Sequence, residues 1–301
     1  MKQITISAKK LFIIAGLLFL LIGGYWLWTY FTSPAGSQKV SFVAARSEKF
    51  TSGNLNFTVY RAENGVSEDV IYHLHGRNMD DSIWNDDTYF TSLVQSYWQK
   101  SSTKPPTVVV VSYGNVWLLT PKNSTAESGL MDDFVARLPE IEAKTGKPRN
   151  RILLGESMGG LNVLILGLSH PNLFSKVASL CPGVYVDSPF SDFSTMRAAA
   201  KRTGADPKIV FGILQMAKTY VSNEEEWNAI SPIKLIERAD DEYPELYLSC
   251  GLYDKYGNFE GTEALANIAI KKGVKTKWHP LYGGHCAMDI ASLADFLVGN
   301  Q

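Results

Sequence analysis

Three residue types in a fixed order carry the chemistry of this chain. Gly155-Glu156-Ser157-Met158-Gly159 is a G-x-S-x-G pentapeptide. A serine hydroxyl is a weak nucleophile until a neighbouring base takes its proton. Arg151-Ile152-Leu153-Leu154 precedes the pentapeptide and reads as a buried strand; Gly160-Leu161-Asn162-Val163-Leu164-Ile165-Leu166 follows and reads as a packed helix. Strand, tight turn and helix form the setting of a nucleophile elbow, in which the serine hydroxyl is pushed outward from a strained backbone. Gly155 and Gly159 fit that setting, because a Cβ at either position would collide with the neighbouring strand and helix.

Partners for such a serine follow it in the order acid, then histidine. Three of the five histidines lie downstream: His170, His279 and His285. His170 closes the helix after the elbow, where a cap-like role suits it. His279 sits inside an alternating strand pattern, Val274 to Pro280. His285 lies in Tyr282-Gly283-Gly284-His285-Cys286, a glycine-rich loop between that strand and a last helix from Met288 to Val298. A base needs a loop that reaches the nucleophile, so His285 is the candidate; otherwise it is a surface loop histidine. Glu245 to Gly251 reads as a strand, and Asp254 stands on the loop beyond its C-terminal end, where α/β sheets place their chemistry. Asp254 would fix the tautomer of His285 and stabilise the imidazolium. The rival role for Asp254 is to cap a helix starting near Phe259. Glu260 and Asp240 are poorer candidates: one falls in a first helical turn, the other before the strand.

An oxyanion hole needs two backbone N–H groups. One comes from the residue after the nucleophile, Met158. The second is expected from the loop His75-Gly76-Arg77-Asn78, after a strand at Asp69 to Leu74, with the Arg77 N–H as donor. His75 precedes the serine and reads as a brace for this loop.

These motifs resemble the esterase D-like branch of the α/β-hydrolases, which includes S-formylglutathione hydrolases, feruloyl and siderophore esterases, and mycolyltransferases. The resemblance runs from about Val59 to Leu297. It rests on His75-Gly76, the helix Asp132 to Ile141, Gly155-Glu156-Ser157-Met158-Gly159-Gly160, His170-Pro171-Asn172-Leu173-Phe174, Tyr253-Asp254 and Gly283-Gly284-His285. It implies carboxylic ester hydrolysis or acyl transfer through an acyl-serine. The chain departs from the family at Arg77, where the family often has glycine or Leu, and at Ala287-Met288, where an aromatic is common. Both departures bear on the substrate.

The elements that must position these residues alternate along the chain. Leu55 to Arg61, Asp69 to Leu74, Thr107 to Ser112, Lys176 to Cys181 and Glu245 to Gly251 read as strands, with a helix from Glu127 to Lys144 before the elbow. This alternation predicts an α/β fold with a mostly parallel sheet and helices on both faces, and the resemblance implies that it is the α/β-hydrolase fold. A helical insertion at about residues 190–239 precedes the acid-bearing strand. Its apolar faces would either cap the site or pack on the domain. Trp117 is read either as lining the site or as an ordinary core or surface aromatic.

Leu11 to Phe31 carries no charge over 21 residues. As a helix it would span about 32 Å, against about 30 Å of hydrocarbon in a bilayer. Tyr25, Trp26, Trp28 and Tyr30 cluster at its far end, and Lys2, Lys9 and Lys10 precede it. The expected organisation is residues 1–31 as a transmembrane anchor or signal segment, 32–47 as a linker and 48–301 as the catalytic domain. The anchor is favoured, because the run exceeds the h-region of a signal peptide; the domain would then face the periplasm or exterior. If Ser33-Pro34-Ala35 were cleaved, the protein would be secreted.

Without the three N-terminal lysines, 26 basic and 30 acidic residues remain, and nothing suggests nucleic-acid binding. Cys181, Cys250 and Cys286 lack metal-ligand spacing, and no metal or organic cofactor is implied. Free buried thiols are expected; a Cys250–Cys286 disulfide is the alternative, because their loops should be neighbours. The expected activity is hydrolysis of a small-molecule, lipid or cell-envelope ester. The alternatives are transfer of the acyl group to an envelope alcohol, or a hydrolase fold that binds without catalysis. Oligomeric state is not legible.

Overall fold

The computed structural model describes residues 7–32, 40–120, 129–238 and 243–299. The chain forms two compact units, Met1–Lys39 and Val40–Gln301. The described part of the first is helix α1 (Ala8–Thr32), of which Ala8–Tyr30 is long and apolar enough to cross a membrane.

The second unit is built on eight strands: β1 (Arg46–Ser52), β2 (Leu55–Arg61), β3 (Val70–Leu74), β4 (Thr107–Ser112), β5 (Arg151–Glu156), β6 (Lys176–Leu180), β7 (Glu245–Gly251) and β8 (Thr276–Leu281). Their order across the sheet is β1-β2-β4-β3-β5-β6-β7-β8. The pairs β1–β2 and β2–β4 are antiparallel and all others are parallel. A parallel strand covered on both faces has no wet side, so its sequence is a continuous apolar run. Val108-Val109-Val110-Val111 in β4 and Ile152-Leu153-Leu154 in β5 are such runs, and all are buried.

Helices cover both faces. On one lie α3 (Leu130–Thr145), α4 (Met158–Ser169) and α9 (Asn258–Lys271), which bury Phe134, Leu138, Leu161, Leu164 and Leu265 against the sheet. On the other lie α2 (Phe90–Lys100) and α10 (Ile290–Val298), with Val94, Trp98, Leu293 and Phe296. Every residue of α4 except Ser169 is buried, which explains a helix sequence with almost no polar face.

Four helices fill the connection from β6 to β7: α5 (Phe193–Thr203), α6 (Pro207–Ala217), α7 (Glu224–Ile230) and α8 (Pro232–Glu237). Asp192, Asp206 and Asn223 cap the first three through their side chains. Trp227, Ile230, Ile233 and Ile236 join the main core, whereas Met196, Ala205, Val210 and Leu214 bury against one another. The apolar faces of the insertion are therefore used for packing.

Several elements differ from expectation. Strand β1 takes Arg46 and Ser47 from the expected linker, pairing Arg46 with Arg61. Its exposed, charged sequence (RSEKFTS) hides the strand, as suits an edge. Helix α2 was not expected, although Phe90, Val94 and Trp98 recur at i, i+4 and i+8. Helix α3 begins at Leu130; Glu127, the expected start, lies outside the described residues, as does Asp240.

Candidate active site

Ser157 occupies the turn between β5 and α4 with φ 55° and ψ −114°. Few L-residues adopt this backbone, and such strain persists only where the surroundings impose it. Here the Ser157 N–H donates to Leu180 O at 2.8 Å, the last residue of β6. The turn tolerates no side chain at its flanks. A Cβ on Gly159 would lie 1.8 Å from Leu74 O, and one on Gly155 2.4 Å from Gly159 O.

Two loops from distant parts of the chain converge on the hydroxyl. His285 Nε2 lies 3.0 Å from Ser157 Oγ, and His285 Nδ1 lies 2.7 Å from Asp254 Oδ2. The carboxylate requires Nδ1 to carry the proton, which leaves Nε2 as the acceptor for the serine O–H. The Asp254 side chain is fully buried, and its other oxygen accepts the Tyr256 N–H at 2.8 Å. The Tyr256 ring lies against the imidazole, with centroids 4.3 Å apart. The acid and histidine loops are stitched together by Leu252 N–H to Leu281 O and Tyr253 N–H to Gly283 O, both 2.9 Å. Gly251 makes this approach sterically feasible, since a Cβ there would lie 2.0 Å from Gly284 O.

The cysteines differ from expectation. Cys181 and Cys286 form a disulfide, and Cys250 is the buried free thiol. Free buried thiols were expected, and the neighbouring loops of β7 and β8 offered a Cys250–Cys286 pair as the alternative. However, Cys250 is directed to Asp254, with Sγ 3.7 Å from Oδ2, while Cys181 sits just beyond β6 with a left-handed φ of 43°. Burial, and then the Asp254 charge, push the Cys250 thiol well above its usual range, so it is not a nucleophile. Cys181, His285 and Cys286 also cluster closely enough for a metal ion, but the two sulfurs are bonded to each other and offer no thiolate.

The Met158 and Arg77 backbone N–H groups have no acceptor among the described residues. Met158 begins α4, so its N–H lacks an intrahelical partner, and the Arg77 N–H is likewise unpaired. The neighbours of Arg77 are fixed: Gly76 N–H donates to Glu156 Oε1 at 2.6 Å and Asn78 N–H to Asn115 Oδ1 at 2.8 Å. His75 braces this loop. Its Nδ1–H donates to Gly76 O and its Nε2 accepts from Ser112 Oγ, both at 2.7 Å, and burial lowers its basicity.

The remaining sequence candidates lie elsewhere. His170 is the C-terminal cap residue of α4. His279 stacks on Tyr247, with centroids 4.6 Å apart, and Glu260 pairs with Arg202. Trp117 is buried in the core, and its backbone N–H donates to Tyr220 Oη at 3.0 Å. A separate cavity of about 380 Å³, lined by Tyr60, Trp84, Trp98 and Val108, does not include the serine, histidine or aspartate. Sequence reasoning missed the disulfide and the buried Glu156. An acidic residue between a buried strand and a buried helix was the available signal for the latter.

Comparison with known proteins agrees with this architecture. The Esterase family, described as "Putative esterase", matches residues 49–287. A ferulic acid esterase structure is 16% identical, with 85% of this chain and 95% of that chain covered and a TM-score of 0.56. An arylesterase is 18% identical, with 87% and 84% covered and a TM-score of 0.58. An esterase/lipase from an uncultured bacterium is 20% identical, with 87% of each chain covered and a TM-score of 0.59. At these identities the structures speak to the fold, which is that of the α/β-hydrolases. No curated protein sequence matches. The chain belongs to the Esterase family of carboxylic ester hydrolases.

Proposed function

We propose that Ser157, His285 and Asp254 hydrolyse carboxylic esters through an acyl-serine, in a domain tethered to a membrane by residues 1–31. The observation that carries this reading is the hydrogen-bonded line from Asp254 Oδ2 through His285 to Ser157 Oγ, at 2.7 and 3.0 Å. Ser157 Oγ attacks the ester carbonyl while His285 Nε2 takes its proton. The carbonyl oxygen becomes an oxyanion held by the Met158 and Arg77 N–H groups. His285 then returns the proton to the departing alcohol. Water, deprotonated by the same nitrogen, releases the acid and frees Ser157. Asp254 stabilises the imidazolium in both steps. The apolar length of Ala8–Tyr30 supports the tether, and the lysines that precede it, Lys2, Lys9 and Lys10, favour a catalytic domain outside the cytoplasm.

The test uses the full-length chain in detergent and a series of p-nitrophenyl esters of increasing acyl length. Wild-type turnover that disappears in Ser157→Ala is expected, and the preferred length would size the acyl site. Full turnover in the purified Ser157→Ala variant would refute the assignment. Competing alcohols in the same assay would report acyl transfer as a new ester product.

A further inference from the structure

Glu156 immediately precedes the nucleophile, and its carboxyl group is 1% exposed. A carboxylate buried there costs several kcal/mol unless its oxygens are satisfied. They are satisfied in a specific way. Oε2 accepts from His73 Nε2 at 2.7 Å, and Oε1 accepts from the Gly76 backbone N–H at 2.6 Å. The Tyr89 phenol lies beside the same group: burial, and then the Glu156 charge, push its pKa upward. His73 is itself fully buried, edge-on to Trp84 and Phe90, so the far side of the carboxylate is anchored in the core.

The consequence falls on the next peptide. The Gly76 N–H belongs to the 75–76 peptide plane, and Glu156 holds it. The Gly76 carbonyl belongs to the 76–77 plane, and the His75 Nδ1–H holds it at 2.7 Å. A trans peptide points its N–H opposite its C=O. Holding Gly76 O at the His75 side therefore turns the Arg77 N–H the other way. Both planes flanking Gly76 are pinned, one by each side chain. Gly76 lies directly on Glu156, since a Cβ there would be 3.5 Å from both Glu156 O and Oε1.

We infer that Glu156 is a positioning residue for the oxyanion hole: its carboxylate fixes the 75–76 peptide and so the place of Gly76, from which His75 orients the 76–77 peptide whose Arg77 N–H receives the oxyanion. This rests on the proposed role of Ser157. It also accounts for an acid at a buried position where an apolar side chain would be easier to accommodate. The elbow thereby contributes to both donors, to Met158 through the start of α4 and to Arg77 through the hold of Glu156 on the adjoining 75–76 peptide.

The test compares Glu156→Met, which removes the acceptor, with Glu156→Gln, which keeps an oxygen for the Gly76 N–H. Both are measured in full-length protein, with active serines counted by fluorophosphonate titration. Glu156→Met is expected to lose about 100-fold in kcat per titrated serine, the typical worth of one oxyanion donor, with KM within about twofold. Its affinity for a trifluoromethyl ketone, whose serine adduct carries the oxyanion, should fall in parallel. Glu156→Gln should recover most of both losses. Wild-type kcat per titrated serine in Glu156→Met would overturn the inference, as would a loss confined to the number of titratable serines. If Glu156→Met does not fold, His75→Phe removes the other restraint: reduced kcat at unchanged KM supports the inference, and wild-type kcat overturns it. An inactive wild type would instead sink the Ser157 reading.

Discussion

Cys181 and Cys286 are joined across 105 residues, and the bond ties the His285 loop to the strand end that holds Ser157. Leu180 accepts the Ser157 N–H, Cys181 follows it, and Cys286 follows His285. The disulfide thus closes a ring through both ends of the Ser157–His285 hydrogen bond. Cross-links over long loops remove the most entropy from the unfolded chain, about 4–5 kcal/mol for a loop of roughly 100 residues in the chain-entropy model. Replacing both cysteines by serine should lower stability by about 2–5 kcal/mol, read from urea unfolding followed by tryptophan fluorescence. Wild-type protein in strong reductant should shift in the same direction. An unchanged urea midpoint in the double variant would show that the bond does not constrain the fold.

Asp254 has two separate duties, and one substitution separates them. Oδ1 accepts the Tyr256 N–H and Oδ2 accepts the His285 Nδ1–H. In Asp254→Asn the remaining oxygen must face Tyr256, which turns the NH₂ toward His285 Nδ1. Nδ1 then becomes an acceptor, and the ring proton moves to the nitrogen that should receive the serine proton. The expected loss in kcat is about 10³–10⁴-fold, with KM changed only a few-fold, because orientation survives and the tautomer does not. Steady-state kinetics of the purified variant decide this, and a loss below tenfold would remove Asp254 from the proposed mechanism.

Two glycines should respond oppositely to a methyl group. Gly159 sits where a Cβ would lie 1.8 Å from Leu74 O and 2.7 Å from His75 O, backbone atoms at the end of β3 and in the loop that follows it. Gly159→Ala should cost at least about 3 kcal/mol or prevent folding, since the elbow and the β3 loop must move apart. Gly212 lies mid-helix in α6 with nothing within 4 Å of such a Cβ. Gly212→Ala should stabilise by about 0.5–1 kcal/mol, through helix propensity alone. Thermal unfolding of both variants checks the contrast.

What the sequence reveals here depends on whether a feature is local. The elbow was legible because strand, turn glycines and helix are consecutive; chain order left three downstream histidines, and the glycine-rich loop of His285 narrowed them to one. The parallel strands were legible because burial on both faces leaves nearly uninterrupted apolar runs such as Val108 to Val111. The edge strand β1 was hidden by its solvent-facing charges. The cysteine pairing was not legible, because it depends on which way Cys181 turns beyond β6 and on Cys250 facing inward beside Asp254. Glu156 was passed over for a similar reason: its partners, His73 and Gly76, lie about eighty residues earlier and meet it only through the β3–β5 pairing.

The brace formed by His75 gives stability a pH dependence of known sign. Burial lowers its pKa in the folded protein below the ordinary value of 6.5. The unfolded chain therefore binds a proton at His75 before the folded one does. The stabilisation is complete above about pH 6.5 and is lost progressively as pH falls from there through the folded-state value. The geometry agrees, because Nε2 must stay unprotonated to accept from Ser112 Oγ. The slope from this one site cannot exceed about 1.4 kcal/mol per pH unit. His279, whose basicity is also lowered by burial, adds a slope of the same sign. Urea unfolding of wild type between pH 7.5 and 5 should therefore show falling stability, and His75→Gln should flatten that fall without abolishing it. An identical slope in His75→Gln would mean that His75 binds its proton equally in the folded and unfolded chain and contributes nothing to the pH dependence.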